Sequence, residues 1–401
     1  MNSPLPPQTR ILIVGSGPSG LAAGISMLCN GIQPSELVIV DSVEKGSNTS
    51  RAIAIHAATL EVNTDWKLGD KNGPFFQSSF EYNSRHTKYP FFLSLSQKIT
   101  EHVLEERLNE LGVKVLRPFH VSGMKESPTG KGMDVLFESG EIIKAEYVIG
   151  ADGARSTVRR LSDIKFADPD GKSFEDSVES ELAQMVMADV SFSSPLPDSP
   201  SLLTATRDGM FLLMSLGKPV VTDMLYNSSE TVYRIGFSEH INRYAPLFLS
   251  SDPTVNPNPI NITKMYWTTR FRLHSAIAEV FFKRIHGGFI FLVGDAAHIH
   301  SPAGGQGMNL GLRDALGLGP VLAEHVLKGS GGDLAALESY ATLRRIRGLN
   351  MIQLTKRLLS AINFVMQPHY FDWPAKVIRL LSRISLIQRK FAYQLSGLGN
   401  P

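Results

Sequence analysis

The residues GSGPSG at 15–20 follow a short apolar run, ILIV at 11–14, and precede a stretch of helical character that lasts to about Asn30. Residues of these types at this spacing suit a phosphate-binding turn. Gly15 permits the tight turn, Gly17 lets the backbone approach a pyrophosphate, and Gly20 lets helix and strand pack closely. The helix N-terminus would face the phosphates with unpaired N–H groups and the positive end of its dipole. A second buried run, LVIV at 37–40, closes a strand–helix–strand unit, and Asp41 at its end stands where an acid takes ribose hydroxyls. These features predict a dinucleotide site but do not separate FAD from NAD.

A second segment, GDAAHIHSPAGGQGMNLGLRDA at 294–315, separates them. A buried strand, FIFLV at 289–293, delivers Asp295, whose carboxylate suits a ribityl or ribose hydroxyl. Pro302 and the glycines Gly304, Gly305 and Gly307 make a loop without side-chain bulk, against which a flat ring can lie. A helix starts near Met308 and Asn309, and its positive end would stabilise negative charge on the pyrimidine edge of a reduced flavin. The segment resembles the second FAD motif of the class A flavoprotein monooxygenases, the para-hydroxybenzoate hydroxylase-like family. YVIGADGARSTVRR at 147–160 is similar to the same family's DG motif, near the FAD pyrophosphate and the path of NAD(P)H. There Asp152 and Gly153 allow a sharp turn, and Arg155 and Arg159 supply positive charge for phosphates. SRAIAIHAATLEV at 50–62 is similar to the family's SRA…TLE segment, which implies Arg51 beside the flavin or the incoming nicotinamide. Gln97 stands where the family carries a glutamine that contacts FAD.

The resemblance implies FAD as cofactor and NAD(P)H as a transient co-substrate, and one glycine fingerprint rather than two fits a nicotinamide that visits and leaves. It implies that reduced flavin reacts with dioxygen to give a flavin hydroperoxide, which hydroxylates or epoxidises a small phenolic, polyketide-like or terpenoid-like metabolite of secondary metabolism. The cofactor carries the hard chemistry, so no catalytic triad is expected. His56 and Pro302 are the catalytic candidates, and a lone histidine is more often a packed core residue than a catalyst. Tyr226, Tyr233, Arg234 and Tyr266 are candidates for the pocket, with ordinary strand positions the favoured reading. Rival functions on the same scaffold are a flavin-dependent reductase or dehydrogenase, a flavin-dependent halogenase and a degenerate flavoprotein. The halogenase WxWxIP motif is absent. The resemblance departs between Val62 and Tyr89: the family carries a leucine-rich helix after TLEV, whereas NTDWKLGDKNGPFF stands here. A trimmed pocket wall or an imperfect gene model would account for that.

These motifs need an α/β frame to hold them. The elements predict a Rossmann-like FAD/NAD(P)-binding domain from 1–160 and 285–330, with an inserted β-rich substrate domain at 161–284 and a C-terminal helical segment at 331–401. Strand-like runs at MVMADVSF, MFLLMSLG and TVYRIGFS, separated by Pro- and Gly-rich connections, predict a mainly antiparallel inserted sheet. The chain of 401 residues carries a net charge of only +2, so no global field favours nucleic acid. Cys29 is the single cysteine, which excludes an intrachain disulfide framework, a dithiol reductase centre and a cysteine-based metal cluster; no metal is expected. Neither a signal pattern nor a bilayer-length apolar run is visible, so a cytoplasmic location is expected. Residues 340–401 hold ten Lys or Arg and one acid, Asp372, a net of +9. Helices with solvated basic faces are the favoured reading there, and contact with an anionic membrane surface the alternative. The longer family members carry a thioredoxin-like C-terminal extension, and none is expected here. The expected partners are a small-molecule substrate and dioxygen, and oligomeric state is not encoded in any visible motif.

Overall fold

The computed structural model describes residues 5–44, 54–55, 65–70, 73–79, 93–128, 130–171, 184–194, 196, 201–206, 209–216, 226–237, 252–254, 256–272, 274–285, 287–301, 305–328, 333–366, 377, 380–381 and 384–395. Arg51, His56, Pro302 and Gly304 lie outside them.

The first sheet has eight strands: β1 (Gln8–Val14), β2 (Leu37–Val40), β7 (Val115–Leu116), β8 (Val121–Glu126), β9 (Met133–Phe137), β10 (Ile142–Gly150), β18 (Phe282–Ile285) and β19 (Gly288–Leu292). Its main path runs β18-β19-β10-β1-β2-β7, with β9 antiparallel to β10 and to β8. The neighbours β19, β10, β1, β2 and β7 are parallel. Ile11, Leu12 and Ile13 of β1 are fully buried, as a parallel strand covered on both faces requires. The register sets Val14 beside Gly150 and Gly150 beside Leu292. Three segments far apart in sequence therefore leave adjacent strands at one level, at the carboxyl end where α/β sheets bind ligands.

Helices α1 (Pro18–Cys29), α2 (Gln97–Glu110), α3 (Thr157–Leu161), α4 (Gly307–Lys328), α5 (Leu334–Met366) and α6 (Ser385–Leu395) complete the secondary structure together with two short helical turns. Pro18 starts α1, where its missing N–H costs nothing. Helix α2 is capped by the Ser96 hydroxyl, which accepts from the Ile99 amide. Helices α1 and α4 pack so closely that a Cβ on Gly319 would lie 2.0 Å from Ser26 Oγ and 2.7 Å from the Ser26 backbone carbon. The Ser26 hydroxyl donates to the Leu316 carbonyl at 2.8 Å across the same contact. Among the described residues no helix is long and apolar enough to cross a membrane.

The second sheet has seven strands: β4 (Asp65–Asp70), β5 (Gly73–Ser79), β12 (Gln184–Phe192), β13 (Ser201–Thr206), β14 (Gly209–Ser215), β15 (Tyr233–Phe237) and β16 (Ile262–Arg272), in the order β16-β12-β15-β14-β13-β4-β5. All its pairings are antiparallel except β13 with β4. The expected antiparallel insertion is there. In addition β4 and β5, which fall within residues 1–160, join this sheet rather than the first. They occupy the stretch where the leucine-rich helix was missing. Helix α6 packs on β5. One small sheet pairs β3 (Ala54–Ile55) with β6 (Leu93–Ser94); another sets β17 (Ala276–Ala278) between β11 (Phe166–Ala167) and β20 (His298–Ile299).

The α1–α4 contact yields a test. Alanine at a helical glycine gains about 1 kcal/mol of propensity. At Gly319 the clash with Ser26 backbone outweighs that gain, so Gly319→Ala is expected to destabilise by about 1–3 kcal/mol. At Gly348, where a Cβ meets only the flexible tip of Ile277 at 3.3 Å and the His298 ring at 3.5 Å, alanine is expected to be near neutral. Urea unfolding of both variants checks the contrast.

Candidate functional site

The first turn is built by backbone contact. Gly15 has φ +105°, and a Cβ there would lie 2.3 Å from the Ala151 carbonyl oxygen. A Cβ on Gly20 would lie 1.9 Å from the Gly15 carbonyl oxygen. Both glycines are thus required by the protein's own packing. Gly17 differs: its φ of −67° and ψ of 179° suit any residue, and nothing stands within 4 Å of a built Cβ. Its lack of a side chain serves neither conformation nor packing among the described residues, and keeps space clear at the amino end of α1.

Asp41 follows β2 directly. Its Oδ2 accepts from the Ser16 amide at 2.6 Å and the Ser16 hydroxyl at 2.7 Å, and its Oδ1 accepts from the Val43 amide at 3.0 Å. The acid is thereby tied to the first turn. Arg117 completes the group by donating to Ser16 Oγ at 2.8 Å and to Glu105 at 2.6 and 3.1 Å. Gln97, at the start of α2, donates its amide to Glu101 Oε1 at 2.8 Å. Glu101 is buried, and burial, with the nearby charges of Asp41 and Glu105 adding to it and Gln97 and Arg117 opposing it, pushes its pKa up to about 7.

The DG segment has a different arrangement from the expected one. Asp152 Oδ2 accepts from the Thr157 and Val158 amides at 2.7 and 3.1 Å, so the carboxylate caps α3. Its Oδ1 is buried without a partner among the described residues, and burial raises its pKa. Arg155 is exposed. Arg159 is not a phosphate-facing charge: it is buried, donates to the Ala296 and Ala154 carbonyls at 2.8 Å each, and lies 3.7 Å over the Phe166 ring. It ties the DG turn to the 294–297 turn instead.

That turn, Gly294–Ala296, follows β19. Asp295 is exposed while Val293, Gly294, Ala296 and Ala297 are buried, so it stands at the surface at the same sheet edge. A Cβ on Gly294 would meet Ser19 Oγ at 2.4 Å, which brings the turn against α1. Gly305 has φ +66°, and its carbonyl accepts from Asn309 Nδ2 at 2.9 Å. Gly307, at the amino end of α4, repeats the pattern of Gly17: no positive φ, and nothing within 4 Å of a built Cβ among the described residues. Met308 packs against the main core, and Asn309 is buried. Two helix N-termini, α1 and α4, therefore each keep an uncrowded glycine on one side of the sheet. A pyrophosphate at the first and a flavin ring at the second fit that pair of openings.

Behind this surface sits a group that sequence reasoning left unassigned. Asp314 of α4 accepts from His298 Nε2 at 2.6 Å, Arg344 Nε at 2.7 Å and the Gly294 amide at 3.4 Å, and the Tyr340 hydroxyl donates to its backbone carbonyl. Burial alone would raise its pKa, but His298 and Arg344 hold it below the usual carboxylate range. Asp314 stands inside the 294–315 segment, yet nothing in that string marks it as buried. Ser16 and Arg117 were also missed: Ser16 is a variable position of the glycine motif, and Arg117 carries no motif at all.

In the second sheet Arg234 is not a pocket residue free for substrate. Its Nε and Nη2 donate to Asp189 Oδ1 and Oδ2 at 2.6 and 2.7 Å, and both residues are 0 % exposed. Its guanidinium lies 4.8 Å from the Trp267 ring centre. The Tyr226 hydroxyl donates to Asp189, and the Tyr226 and Tyr266 rings are 4.8 Å apart. Tyr233 packs beside Phe192 on the apolar side of that sheet.

Comparison with known proteins agrees with this geometry. Residues 8–355 match the family described as FAD binding domain. The aromatic compound monooxygenase YhjG of Bacillus subtilis, itself uncharacterised, is 27% identical over 88% of this chain and 68% of its own length. The 6-methylpretetramide 4-monooxygenase of Streptomyces rimosus is 28% identical over 98% of this chain and 70% of its own. The chain thus spans about two thirds of the length of these relatives. Among solved structures, p-nitrophenol 4-monooxygenase from Pseudomonas putida superposes with a TM-score of 0.73 at 19% identity, covering 98% of this chain and 99% of that one.

Two tests follow. Gly17→Ala is expected to leave the stability of the apoprotein within about 0.5 kcal/mol while weakening FAD binding at least tenfold, on the order of 1.4 kcal/mol. Flavin titration and urea unfolding of the same variant check both halves. Glu101 holds its proton more tightly folded than unfolded, so it costs stability as pH rises from about 4.5 through about 7, on the order of 3 kcal/mol in all. Glu101→Gln is expected to flatten that fall, measured as unfolding free energy of the apoprotein across the window.

Proposed function

Because this chain belongs to the FAD binding domain family, we propose that it is an NAD(P)H- and dioxygen-dependent FAD monooxygenase. Its substrate is a small phenolic, polyketide-like or terpenoid-like metabolite, which it hydroxylates or epoxidises, in secondary metabolism. The observation that carries the reading is the pair of open glycines, Gly17 and Gly307, at two helix N-termini beside the aligned ends of β1, β10 and β19. The names of the relatives support the reaction type.

FAD, when bound, supplies electron transfer from NAD(P)H and the activation of dioxygen. The chain's residues bind, orient and shield. The amides at the start of α1, beside Gly17, take the pyrophosphate, and Asp41 takes the adenosine ribose. Asp295 takes a ribityl hydroxyl. The amides of Gly307, Met308 and Asn309, at the positive end of α4, would hold the flavin and favour negative charge on it. Gly305 keeps the approach to the ring clear. Gln97, Arg51 and Asp152 complete the cofactor set in this reading. The second sheet roofs the substrate, and its side chains exclude water. The division into a flavin-binding body at 1–160 and 285–330, a substrate body at 161–284 and helices at 331–401 belongs to the same proposal, with β4 and β5 lent to the substrate body. A cytoplasmic location belongs to it as well.

The test is direct. The purified protein is expected to be yellow, and its NAD(P)H oxidation to be stimulated by one aromatic or polyketide compound, with one atom of isotopically labelled dioxygen appearing in the product. Turnover without dioxygen would replace the reading by a reductase. Stoichiometric hydrogen peroxide with no oxygenated product across a broad panel would replace it by a degenerate flavoprotein. A colourless protein that cannot be reconstituted would remove FAD altogether. Asp295→Ala is expected to raise the FAD dissociation constant about tenfold or more, the loss of a charge-assisted hydrogen bond.

A further inference from the structure

Asp314 is 1 % exposed, as is His298, and Arg344 is 4 % exposed. A buried carboxylate, imidazole and guanidinium are an expensive way to fill space. Apolar residues of similar volume commonly hold such a position as well or better. The group is also imperfectly paired: His298 Nδ1 and Arg344 Nη2 are buried without partners among the described residues. Stability alone does not account for it.

Its connections point elsewhere. Through Oδ2 the carboxylate accepts from the Gly294 amide, the residue before Asp295, and from His298 of β20. Through Oδ1 it accepts from Arg344 of α5. The carboxylate itself sits about two turns inside α4, whose first turn bears Gly307, Met308 and Asn309. One side chain therefore ties the turn that bears the exposed acid, β20 and the helix that begins at Gly307 to one another. We propose that Asp314, oriented by His298 and Arg344, is a positioning residue for the flavin, and that the buried Asp314–Arg344 charge pair tunes the flavin's reduction potential. This rests on the FAD reading above. Reduction places negative charge on the flavin beside α4, so removing the Asp314 charge favours the reduced form and removing the Arg344 charge disfavours it. Both act in a low-dielectric interior where charge effects carry far.

The experiment compares reconstituted wild-type holoprotein with Asp314→Asn, Arg344→Met and Arg344→Lys. The readouts are the FAD dissociation constant, the visible circular dichroism of bound flavin and the midpoint potential by dye equilibration. The expected result is weaker FAD binding by about tenfold or more in Asp314→Asn and Arg344→Met, an altered flavin dichroism, and potentials that move in opposite directions, up for the first and down for the second. Arg344→Lys, which keeps the charge, is expected to restore the potential. Should Asp314→Asn fail to fold, His298→Gln, which retains an N–H donor, is compared with His298→Phe, which retains the stack on Phe281 at 5.7 Å between ring centres. The glutamine is expected to hold FAD as wild type does and the phenylalanine to lose it. Variants with lowered melting temperature but wild-type affinity, dichroism and potential would overturn the proposal, as would equal binding by the two His298 variants. A wild-type protein that takes up no FAD overturns the FAD reading and this proposal together. A wild type that binds, beside variants that bind identically, overturns only the proposal.

Discussion

The Cα of Gly15 comes so near the end of β10 that a Cβ would sit 2.3 Å from the Ala151 carbonyl oxygen, and Gly20 comes equally close to Gly15. This approach of backbone to backbone is what the site depends on. The parallel pairing of β1 with β10 brings the two turns to one level, and the missing side chains let α1 begin immediately above them. Gly294 then comes against Ser19, and Gly319 against Ser26, so α4 lies along α1 at the same short range. A single added methyl at Gly15 or Gly20 would meet main chain, which cannot rotate away as a side chain can. The positions of Asp41, Asp295 and the start of α4 all inherit their precision from that contact.

Polar groups hold the same edge from behind. Asp41 is linked to Ser16, Ser16 to Arg117, and Arg117 to Glu105, so β2, the first turn, β7 and α2 share one hydrogen-bonded group. Arg159 links the DG turn to the 294–297 turn through two carbonyls. Asp314 links that turn to α4 and α5. The arrangement puts buried, cross-linked polar groups under the surface and leaves Asp295 exposed upon it. That division suits a site that must bind a large cofactor without reorganising.

Much of this was legible in the sequence because it is local. Apolar runs of four or five residues mark β1, β2 and β19, and glycines at fixed offsets mark the turns that follow. Asp41 and Asp295 were readable because each stands directly after such a run. The inserted antiparallel sheet was readable from alternating runs between Pro- and Gly-rich connections. What was not legible depends on burial set by distant chain. Arg159 and Arg155 look alike in the string RSTVRR, yet one packs on Phe166 and the other is exposed. Arg234 meets Asp189, 45 residues away, through the register of β12 and β15. Arg344 meets Asp314 across two helices. β4 and β5 join a sheet whose other strands begin more than a hundred residues later, so no local pattern assigns them to it.

Glycine-rich motifs are weak evidence when only their letters are counted, and the structure supplies a way to divide them. Gly15, Gly20, Gly294 and Gly319 are explained by what a Cβ would strike. Gly130, Gly140, Gly153 and Gly171 have open space in front of them but a positive φ, so turn conformation explains them. Among the described residues Gly17 and Gly307 have open space and ordinary φ, so neither explanation reaches them there. A residue kept small where the fold gains nothing is accounted for by something outside the chain that needs the room. Both such residues open helices, where amides and dipole favour negative charge, and both face the same sheet end. A dinucleotide whose pyrophosphate meets one helix and whose anionic ring edge meets the other satisfies both positions at once. A nucleotide confined to the first turn would leave Gly307 without a reason.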